Sequence, residues 1–585
     1  MPAYSSMSKQ NSPPVSLPPH SMPAGSESLA RWFPVRPKIF SSLQGYTLSD
    51  FLRDLGAGVT VGIVALPLAM AFAIASGVPP QSGIYTAILA GFIISFFGGC
   101  SVQIGGPTAA FISVIALIVQ KQGYEGLVIC TILAGIILMI MGLAKMGSLI
   151  KFIPYPITSG FTSGIAVSIF LSQIKDFFGL QIGAVPAEFF DKVRTLGTAL
   201  PLLNPTTTVM SVLALAFLWI WPRYVTRRVP ASILLLAVAT VVTIVFQLPV
   251  ETIQTRFGGI PAGLPSFHWP QNVTFARIQE LLPSAITIAI LAGIESLLCA
   301  VVADGLTGSR HNSNTELFAQ GLANLASPFM LGIPATGAIA RTATNIENGA
   351  RTPVAGIIHS LTLLIILLLG SQLAKHIPLS VLSAIVMLVA MNMGEWHELT
   401  RLRRMPGSDA IILLTTFLLT VIFDLTIAVM VGMVLAAFLF MKRISDTTQI
   451  SLVTEENEQE GAHHSVIGKE LPPGVLVYRI YGAFFFGAAE KMEEALENIS
   501  SLPKVLILKM HTVPAMDATA LNVLESVWEK MRRHDSHIVL SGPHTQPYFM
   551  MMQAGFVDKL GSENVCGNVD DALARAKEIL GSSKS

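Results

Sequence analysis

The chain has 585 residues, of which 52% are hydrophobic and only 12% charged, and its mean hydropathy is +0.62. Soluble globular proteins carry about twice that charged fraction, so the composition excludes an ordinary soluble protein and indicates one that lies in lipid. The net charge of +1 offers no basic field for nucleic acid. The four cysteines follow no zinc or redox spacing, so we predict no metal and no cofactor: Cys100, Cys130, Cys299 and Cys566.

The amino-terminal stretch, residues 1–45, is rich in serine and proline. It has no apolar region closed by a small-residue cleavage site, so it is not a secretory signal. Its composition predicts a disordered cytoplasmic tail.

Apolar segments dominate residues 46–445, and most are near the ~20 residues that cross a bilayer. A weaker segment at 314–332 is predicted to be shielded by its neighbours. The clearest segments are 57–78, 82–98, 124–144, 156–174, 207–221, 231–248, 278–303, 352–373, 378–394, 408–423 and 425–441.

Two further apolar segments are too short to cross a bilayer. One runs over 108–119 after Gly105-Gly106-Pro107, and the other runs over 338–348 after Pro334-Ala335-Thr336-Gly337. Interrupted segments at matching places in two halves of a transporter indicate its substrate site. Each is third in its half, which predicts a polytopic helical protein of roughly fourteen segments, seven in each half.

Basic residues orient these segments. In an arrangement with a cytoplasmic amino terminus, the more basic loops all fall on the cytoplasmic side, as the positive-inside rule requires. These loops carry Lys145, Lys151, Arg223, Arg227, Arg228, Arg310, Arg401, Arg403, Arg404, Lys442 and Arg443, against Lys121, Lys175, Arg256 and Lys375 opposite. We therefore predict a multi-pass protein of the cell inner (plasma) membrane, with 187–200 as an amphipathic interfacial helix.

The chemistry of the chain changes after Arg443. Residues 446–471 form a polar, acidic linker that contains TEENEQEGAHH. Over 472–582, short β-rich runs alternate with amphipathic helical patterns, which is typical of a small sheet covered by helices. We predict a separate cytoplasmic α/β domain here.

The two short segments are the first candidate site. A helix amino terminus carries unpaired amide donors and about half a positive charge, so two of them meeting in mid-membrane would cradle an anion. The alternative is that the breaks are packing kinks. The residues at these starts are Thr108, Ala338, Ile339, Ala340 and Arg341.

Two ionisable residues lie in apolar segments. Arg341 either attracts the anion, holds a carboxylate or extends to the membrane surface, because an arginine in a membrane is costly and usually functional. Glu295 lies in mid-segment, where desolvation favours the protonated carboxyl group. Its possible roles are proton coupling, a salt bridge to Arg341 or a structural hydrogen bond. Pro67 in the first segment frees backbone groups about a turn from Phe72, although such kinks are common in membranes.

Several long stretches resemble the SulP family, the sulfate permease group of anion transporters. Its first two segments are matched by GVTVGIVALPLAMAFAIASGVPPQSGIYTAILAGFI, and later ones by IGGPTAAF, NSNTELFAQGLANLASPF and ARTATNIENGARTPVAG. The soluble end resembles the STAS domain of the family. The resemblance covers about residues 45–580. It implies two inverted seven-segment repeats that form a core and a gate domain, and it implies a small inorganic or dicarboxylate anion as the cargo.

The same resemblance implies where the anion binds: between the starts of the third and tenth segments, against the first. Carried onto this chain, the site comprises Phe72, Thr108, Ala338, Ile339, Ala340 and Arg341, with Ala65, Leu66 and Leu68 of the first segment close by. Sodium-coupled bicarbonate relatives carry an Asp and a Thr four apart in the eighth segment. Here Glu295 and Cys299 stand at those positions, which favours a proton over sodium.

The stretch GIESLLCAVVADGLTG is most similar to the DauA-type C4-dicarboxylic acid transporters. We therefore expect proton-coupled, elevator-like transport of succinate, fumarate or sulfate, with bicarbonate as a further alternative. An uncoupled anion channel and a STAS-linked sensor are alternatives from other classes. No nucleotide-binding loop is found, so an ATP-driven pump and an enzyme are not predicted.

The resemblance also implies a homodimer and a cytosolic partner for the STAS domain. Related domains carry a phosphorylatable serine after an aspartate, whereas here Asp517 is followed by Ala518 and then Thr519. We therefore expect the domain to mediate docking or assembly rather than a phosphorylation switch.

Overall fold

The computed structural model describes residues 36–582 except 149–153, 184, 187, 226–229, 262, 264, 266, 272, 424, 454–465, 467–468, 488–490 and 493–501. Most of the predicted tail, the TEENEQEGAHH run and most of the predicted helix AAEKMEEALENI lie outside the described residues. The chain divides into two compact units. The first runs up to Arg404 and adds Leu413–Met430, and the second comprises Met405–Ile412 and Val431–Ser585.

The described chain up to Thr447 is mainly helical, and this stretch holds the first unit together with Met405–Ile412 and residues 431–447 of the second. Its helices and two very short strands, in chain order, are α1 Lys38–Ser42, α2 Leu48–Ala75, α3 Pro80–Phe97, β1 Gly105–Gly106, α4 Ile112–Leu143, α5 Tyr155–Phe178, α6 Phe189–Ala199, α7 Pro205–Tyr224, α8 Ala231–Phe246, α9 Ile253–Phe257, α10 Phe275–Thr307, α11 Ser313–Ala326, β2 Thr336–Gly337, α12 Ile339–Glu347, α13 Val354–Ala374, α14 Leu379–Met393, α15 Trp396–Thr400, α16 Gly407–Ile422 and α17 Leu425–Thr447.

In the described part of the chain, eight helices are long and apolar enough to cross a membrane, and three shorter apolar helices accompany them. The first predicted short segment is a 3-10 turn at Ala109–Phe111 that leads into α4. Gly123, at φ 70°, divides α4, so the predicted segments 108–119 and 124–144 are its two parts. The second short segment is α12, and the predicted interfacial helix is α6.

The two halves of the membrane unit interlock. Helix α2 packs against α13, and α10 packs against α4, so each half contributes a long helix to the other. Gly58 and Gly62 allow the first of these contacts. A Cβ atom at Gly62 would lie 2.8 Å from Cβ of Thr362, and one at Gly58 would overlap the backbone of Ala355. Small residues at such contacts let membrane helices approach closely.

Asp54 ties α2 to the start of α13. The carboxylate is fully buried, and it accepts hydrogen bonds from the Tyr46 hydroxyl at 2.8 Å, the Arg351 amide at 2.8 Å and the Thr352 amide at 3.2 Å. The Thr352 hydroxyl also donates to it. Four donors satisfy the charge, which is the condition under which a buried carboxylate is tolerated.

The second unit contains a five-stranded sheet. Its elements are β3 Gln449–Leu452, β4 Val475–Tyr481, β5 Val505–Lys509, α18 Ala518–Arg532, β6 His537–Ser541, α19 Thr545–Gln553, α20 Phe556–Leu560, β7 Val565–Cys566 and α21 Val569–Ser582. The strand order is β3-β4-β5-β6-β7, with β3 antiparallel to β4 and the other pairs parallel. The polar linker predicted at 446–471 therefore contains the edge strand β3.

The parallel strands are buried on both faces, as their apolar runs predict. Leu506 and Leu508 of β5 face a core that includes Leu524 of α18. Val505 and Ile507 face the opposite core, which includes Ala572 of α21. The alternation of side chains along a strand thus distributes one apolar run between two helical layers.

Replacing Asp54 by asparagine is expected to lower the free energy of unfolding by on the order of 3 kcal/mol. The neutral amide cannot form the charge-assisted hydrogen bonds, and its NH2 group would face the donors that now bind the carboxylate. Asp50→Asn is the matched control. Asp50 accepts from the Thr47 amide at 3.2 Å at the start of the same helix, and a lost cap costs about 1 kcal/mol. Thermal unfolding of both variants in detergent measures the difference. Equal losses would contradict the role given to Asp54.

Candidate functional site

The two interrupted segments meet at their breaks. Strands β1 and β2 pair antiparallel, with Gly105 opposite Gly337 and Gly106 opposite Thr336. The Ala338 amide continues the pairing by donating to the Ile104 carbonyl at 2.9 Å. This arrangement satisfies backbone groups that the breaks would otherwise leave unpaired inside the membrane. It also brings the start of the Ala109–Phe111 turn close to the start of α12.

Neither start is capped by a side chain. Thr108 and Ala338 are the residues that precede the two helical segments, and neither makes a side-chain hydrogen bond to the first turn. The amide donors at both starts therefore keep the positive character of a helix amino terminus.

Arg341 lies in the first turn of α12 and is buried. Its Nη2 atom donates to the Pro107 carbonyl, which links the two starts through a side chain. Its Nη1 atom is buried and has no hydrogen-bond partner in the described part of the chain. The guanidinium carbon lies 6.0 Å from the centre of the Phe72 ring. A buried cation with one unused donor is suited to bind an anion.

Gly106 leaves the space that this guanidinium occupies. A Cβ atom there would lie 2.7 Å from Arg341 Nη1, and the φ angle of +151° is one that other residues rarely adopt. Glycine therefore serves both the backbone conformation and the close approach of the arginine.

Glu295 projects from α10 to the start of the first short segment. Its Oε2 atom accepts a hydrogen bond from the Thr108 hydroxyl at 2.8 Å, and the residue is only partly buried. Among the described residues it makes no ion pair with Arg341, so the salt bridge considered from the sequence is not formed. The hydrogen bond places a protonatable group next to one of the two helix starts.

The remaining predicted residues differ in how deeply they are buried. Ile339 and Ala340 are exposed, whereas Ala338 is buried. On α2, Ala65 and Phe72 are buried, and Leu66 and Leu68 are partly buried. Apart from Phe72, no contact of these α2 residues to the helix starts is described, so their part in the site stays a prediction.

A polar network behind the site was not predicted from the sequence. Glu316 of α11 is fully buried, and its carboxylate accepts from the Gly99 amide at 2.9 Å and the Cys100 amide at 3.1 Å. Gln320 also donates to it at 3.0 Å. Ser296, the neighbour of Glu295, accepts from Gln103 at 3.2 Å. The sequence does contain a signal for this network, because Glu316 is a carboxylate inside the weakly apolar segment 314–332.

Two further side chains of α12 hold residues 102–104, the segment that leads into β1. The Thr342 hydroxyl accepts from the Ile104 amide at 3.0 Å and from the Cys299 thiol at 3.2 Å. The Asn345 amide donates to the Val102 carbonyl at 2.9 Å. Cys299 is thus engaged in packing one turn after Glu295. No group of three or more His, Cys, Asp or Glu side chains in the described residues is placed to hold a metal ion.

Comparison with known proteins finds a separate match for each of the two parts of the chain. Residues 51–416 match the sulfate permease family and residues 467–572 match the STAS domain. YvdB of Bacillus subtilis, whose name provisionally describes a sulfate transporter, is 42% identical over 534 residues, 90% of this chain and 98% of that protein. The bicarbonate transporter BicA of a Picosynechococcus species is 30% identical over 541 residues, 90% of this chain and 94% of that protein.

Solved structures agree with this assignment. The transmembrane domain of a cyanobacterial bicarbonate transporter BicA has a TM-score of 0.60 at 31% identity, over 66% of this chain and 98% of that one. Murine Solute Carrier 26 family member A9, solved in its inward-facing state, has a TM-score of 0.83 at 18% identity, over 96% and 97% of the two chains, and so shares the fold. The predicted helical membrane bundle with a carboxy-terminal STAS domain is confirmed. The chain therefore belongs to the sulfate permease family and is an anion transporter, not an enzyme.

Proposed function

We propose that this protein is a secondary active transporter that moves a small divalent oxyanion, sulfate first, together with a proton across the cell inner membrane. The observation that carries the proposal is the buried Arg341 guanidinium, whose Nη1 atom has no hydrogen-bond partner among the described residues. Among the relatives, the one at 42% identity bears the name of a sulfate transporter. Bicarbonate, the cargo named for BicA, and the C4-dicarboxylates expected from the DauA-type resemblance are the alternatives.

Charge favours a divalent anion. Two helix starts, each worth about half a positive charge, add to the full charge of Arg341 to give about two positive charges. The donors converge on one place, because β1 and β2 pair directly and Arg341 reaches Pro107. A compact divalent oxyanion concentrates its charge in the same way, whereas a C4-dicarboxylate separates its two charges and bicarbonate carries one.

Glu295 supplies the coupling. When it is ionised, its negative charge lies one hydrogen bond from Thr108 and opposes the positive field of the helix starts. Protonation removes that charge and strengthens anion binding. The two ligands therefore favour each other's binding, which is the thermodynamic requirement for symport. Sodium is less suited, because Cys299 stands four residues after Glu295, where sodium-coupled relatives carry a threonine, and a thiol is a poor ligand for a hard cation.

We assign alternating access to an elevator-like motion. Both breaks, Arg341 and Glu295 belong to helices that pack on one another, namely α2, α4, α10, α12 and α13. Helices α5 and α14 pack together as a second group. Movement of the first group as a body would carry the complete site past the second. The amino terminus and the STAS domain lie in the cytoplasm in this proposal, as the distribution of basic loops predicts.

The STAS domain serves docking in this proposal, as a contact for a second copy or for a cytosolic protein. Ala518, exposed at the start of α18, stands where a phosphorylatable serine would follow the aspartate. Asp517 already accepts from the Ala520 amide at 2.8 Å and the Phe486 amide at 3.1 Å. Its carboxylate is thus used to cap the helix.

Purified protein in liposomes is expected to accumulate labelled sulfate, and an inward proton gradient is expected to raise the initial rate several-fold. Parallel uptake of succinate and bicarbonate separates the three cargo classes. Protein-free liposomes are the control. Uptake of none of the anions, or no effect of the gradient, would contradict the proposal, and a large conductance without gradient dependence would favour a channel.

Glu295→Gln is expected to abolish stimulation by the proton gradient while sulfate counterflow continues, because the amide mimics the protonated carboxyl group. Asp304→Asn is the matched control on the same helix. Asp304 is held by the His311 ring at 2.7 Å, near the end of α10, and its variant should retain the stimulation. Persistence of gradient stimulation in Glu295→Gln would remove Glu295 from the coupling.

Arg341→Gln is expected to raise the KM for sulfate roughly 10- to 100-fold, since a charge-assisted hydrogen bond is worth about 1.5–3 kcal/mol. Arg341→Lys should recover part of the affinity, because the charge returns without the planar fork. Arg351→Gln, at an exposed arginine beyond the end of α12, should leave KM unchanged. Initial rates over a range of sulfate concentrations test all three variants, and an unchanged KM in Arg341→Gln would contradict the site.

A further inference from the structure

A second feature of the membrane unit is a cavity of about 760 Å³ that reaches the first of the two helix starts at Ala110. It is lined by the carboxy-terminal end of α2, the first part of α4, and residues of α5, α6, α9, α10, α16 and α17. Two of the residues that line it, Ala110 and Ile112, follow Thr108 by two and four positions. Neither Arg341 nor Phe72 lines it. The cavity therefore leads toward the anion site without containing it.

The walls of this cavity carry an excess of positive charge. Four cationic side chains line it against two carboxylates, and these are Lys121, Lys175, Lys192 and Arg256, with Asp176 and Glu280. A cleft with one excess sign of charge concentrates ions of the opposite sign.

Most of these charges already have partners. Arg256 forms an ion pair with Asp176 at 2.6 Å. Glu280 accepts a hydrogen bond from Gln122 at 2.6 Å. Lys175 donates to the Gly183 carbonyl at 2.8 Å. Lys121 is exposed.

Lys192 differs from the others because it is partly buried and makes no ion pair or hydrogen bond through its ammonium group with the described residues. Burial lowers the pKa of this ammonium group below its ordinary value. Loss of hydration without a compensating carboxylate is unfavourable for a cation. An anion in the cavity would supply the missing partner.

The position of Lys192 follows from the pattern of α6. Lys192, Leu196 and Ala199 are spaced at four and three residues, so they share one face of the helix. Leu196 and Ala199 are buried in a small apolar cluster with Leu180. Packing of that cluster turns the same face inward and directs Lys192 to the cavity, while Arg194 lies on the exposed side. Helix α6, which the sequence predicts to lie at the membrane interface, thus contributes the charge of Lys192 to the wall of the cavity.

We propose that Lys192 forms an anion-recruiting site in this cavity, which captures a small oxyanion before it reaches the helix starts. The inference rests on the proposed transport of such an anion and adds a place on its route. The site acts through the field of an unneutralised charge, so it should govern the apparent affinity and the salt dependence of uptake rather than the maximal rate.

The first test measures the potential in the cavity and needs no transported substrate. Ser113 lines the cavity, and the native cysteines are all buried, so Ser113→Cys provides a single reactive probe. Full-length protein in liposomes is labelled with anionic and cationic methanethiosulfonate reagents. Adding Lys192→Gln should lower the ratio of anionic to cationic labelling rates several-fold, and adding Arg194→Gln should not. An equal ratio in the two backgrounds would overturn the proposal.

The second test measures uptake. Lys192→Gln should raise the KM for sulfate several-fold and weaken its dependence on ionic strength, with an unchanged maximal rate, and Lys192→Arg should restore both properties. Arg194→Gln is the control on the same helix. A fall in maximal rate at constant KM would overturn the recruiting role. If wild-type protein takes up no anion, the proposed function fails, and the labelling ratio alone then decides the charge of the cavity.

Discussion

The pairing of β1 with β2 is the constraint on which the rest of the membrane unit depends. A chain that breaks its helices inside a bilayer must satisfy the freed backbone groups with protein, because no water is available there. Here the two breaks satisfy each other, through Gly105 with Gly337 and Gly106 with Thr336. The same pairing fixes two helix starts side by side. The positive ends of both helices therefore point at one place, and we propose that the anion binds there.

Arg341 adds a full positive charge to this arrangement, and its hydrogen bonding is incomplete. Its Nη2 atom donates to the Pro107 carbonyl, whereas its Nη1 atom has no partner in the described part of the chain. A buried cation of this kind is unfavourable for stability alone, so its persistence fits a function that supplies an anion. Gly106 provides the room, and Thr342 and Asn345 hold the segment 102–104 that leads to it. The surroundings of Arg341 are thus fixed by the backbone and by other side chains of α12.

The described residues around the break connect it to both halves of the chain. Glu295 reaches Thr108 from α10, while Glu316 on α11 binds the amides of Gly99 and Cys100. These two carboxylates have different surroundings. Glu316 accepts four hydrogen bonds from protein groups, counting Gln320 and Ser296, and so serves as a structural anchor. Glu295 accepts one from Thr108 and is partly exposed, which is compatible with the coupling role that we propose for it.

The sequence by itself determined the lipid environment, the two breaks, the division into a helical unit and an α/β unit, and the presence of Arg341 and Glu295 in apolar segments. These are local properties, since composition, helix breakers and the period of apolar residues act over a few turns. The tertiary structure alone decided that β1 pairs with β2, that Glu295 binds Thr108 rather than Arg341, that Glu316 anchors a loop, and that Lys192 faces a cavity. Each of these depends on groups far apart in the chain, 187 residues for Thr108 and Glu295, and local sequence pattern carries no information about which distant groups packing will bring together.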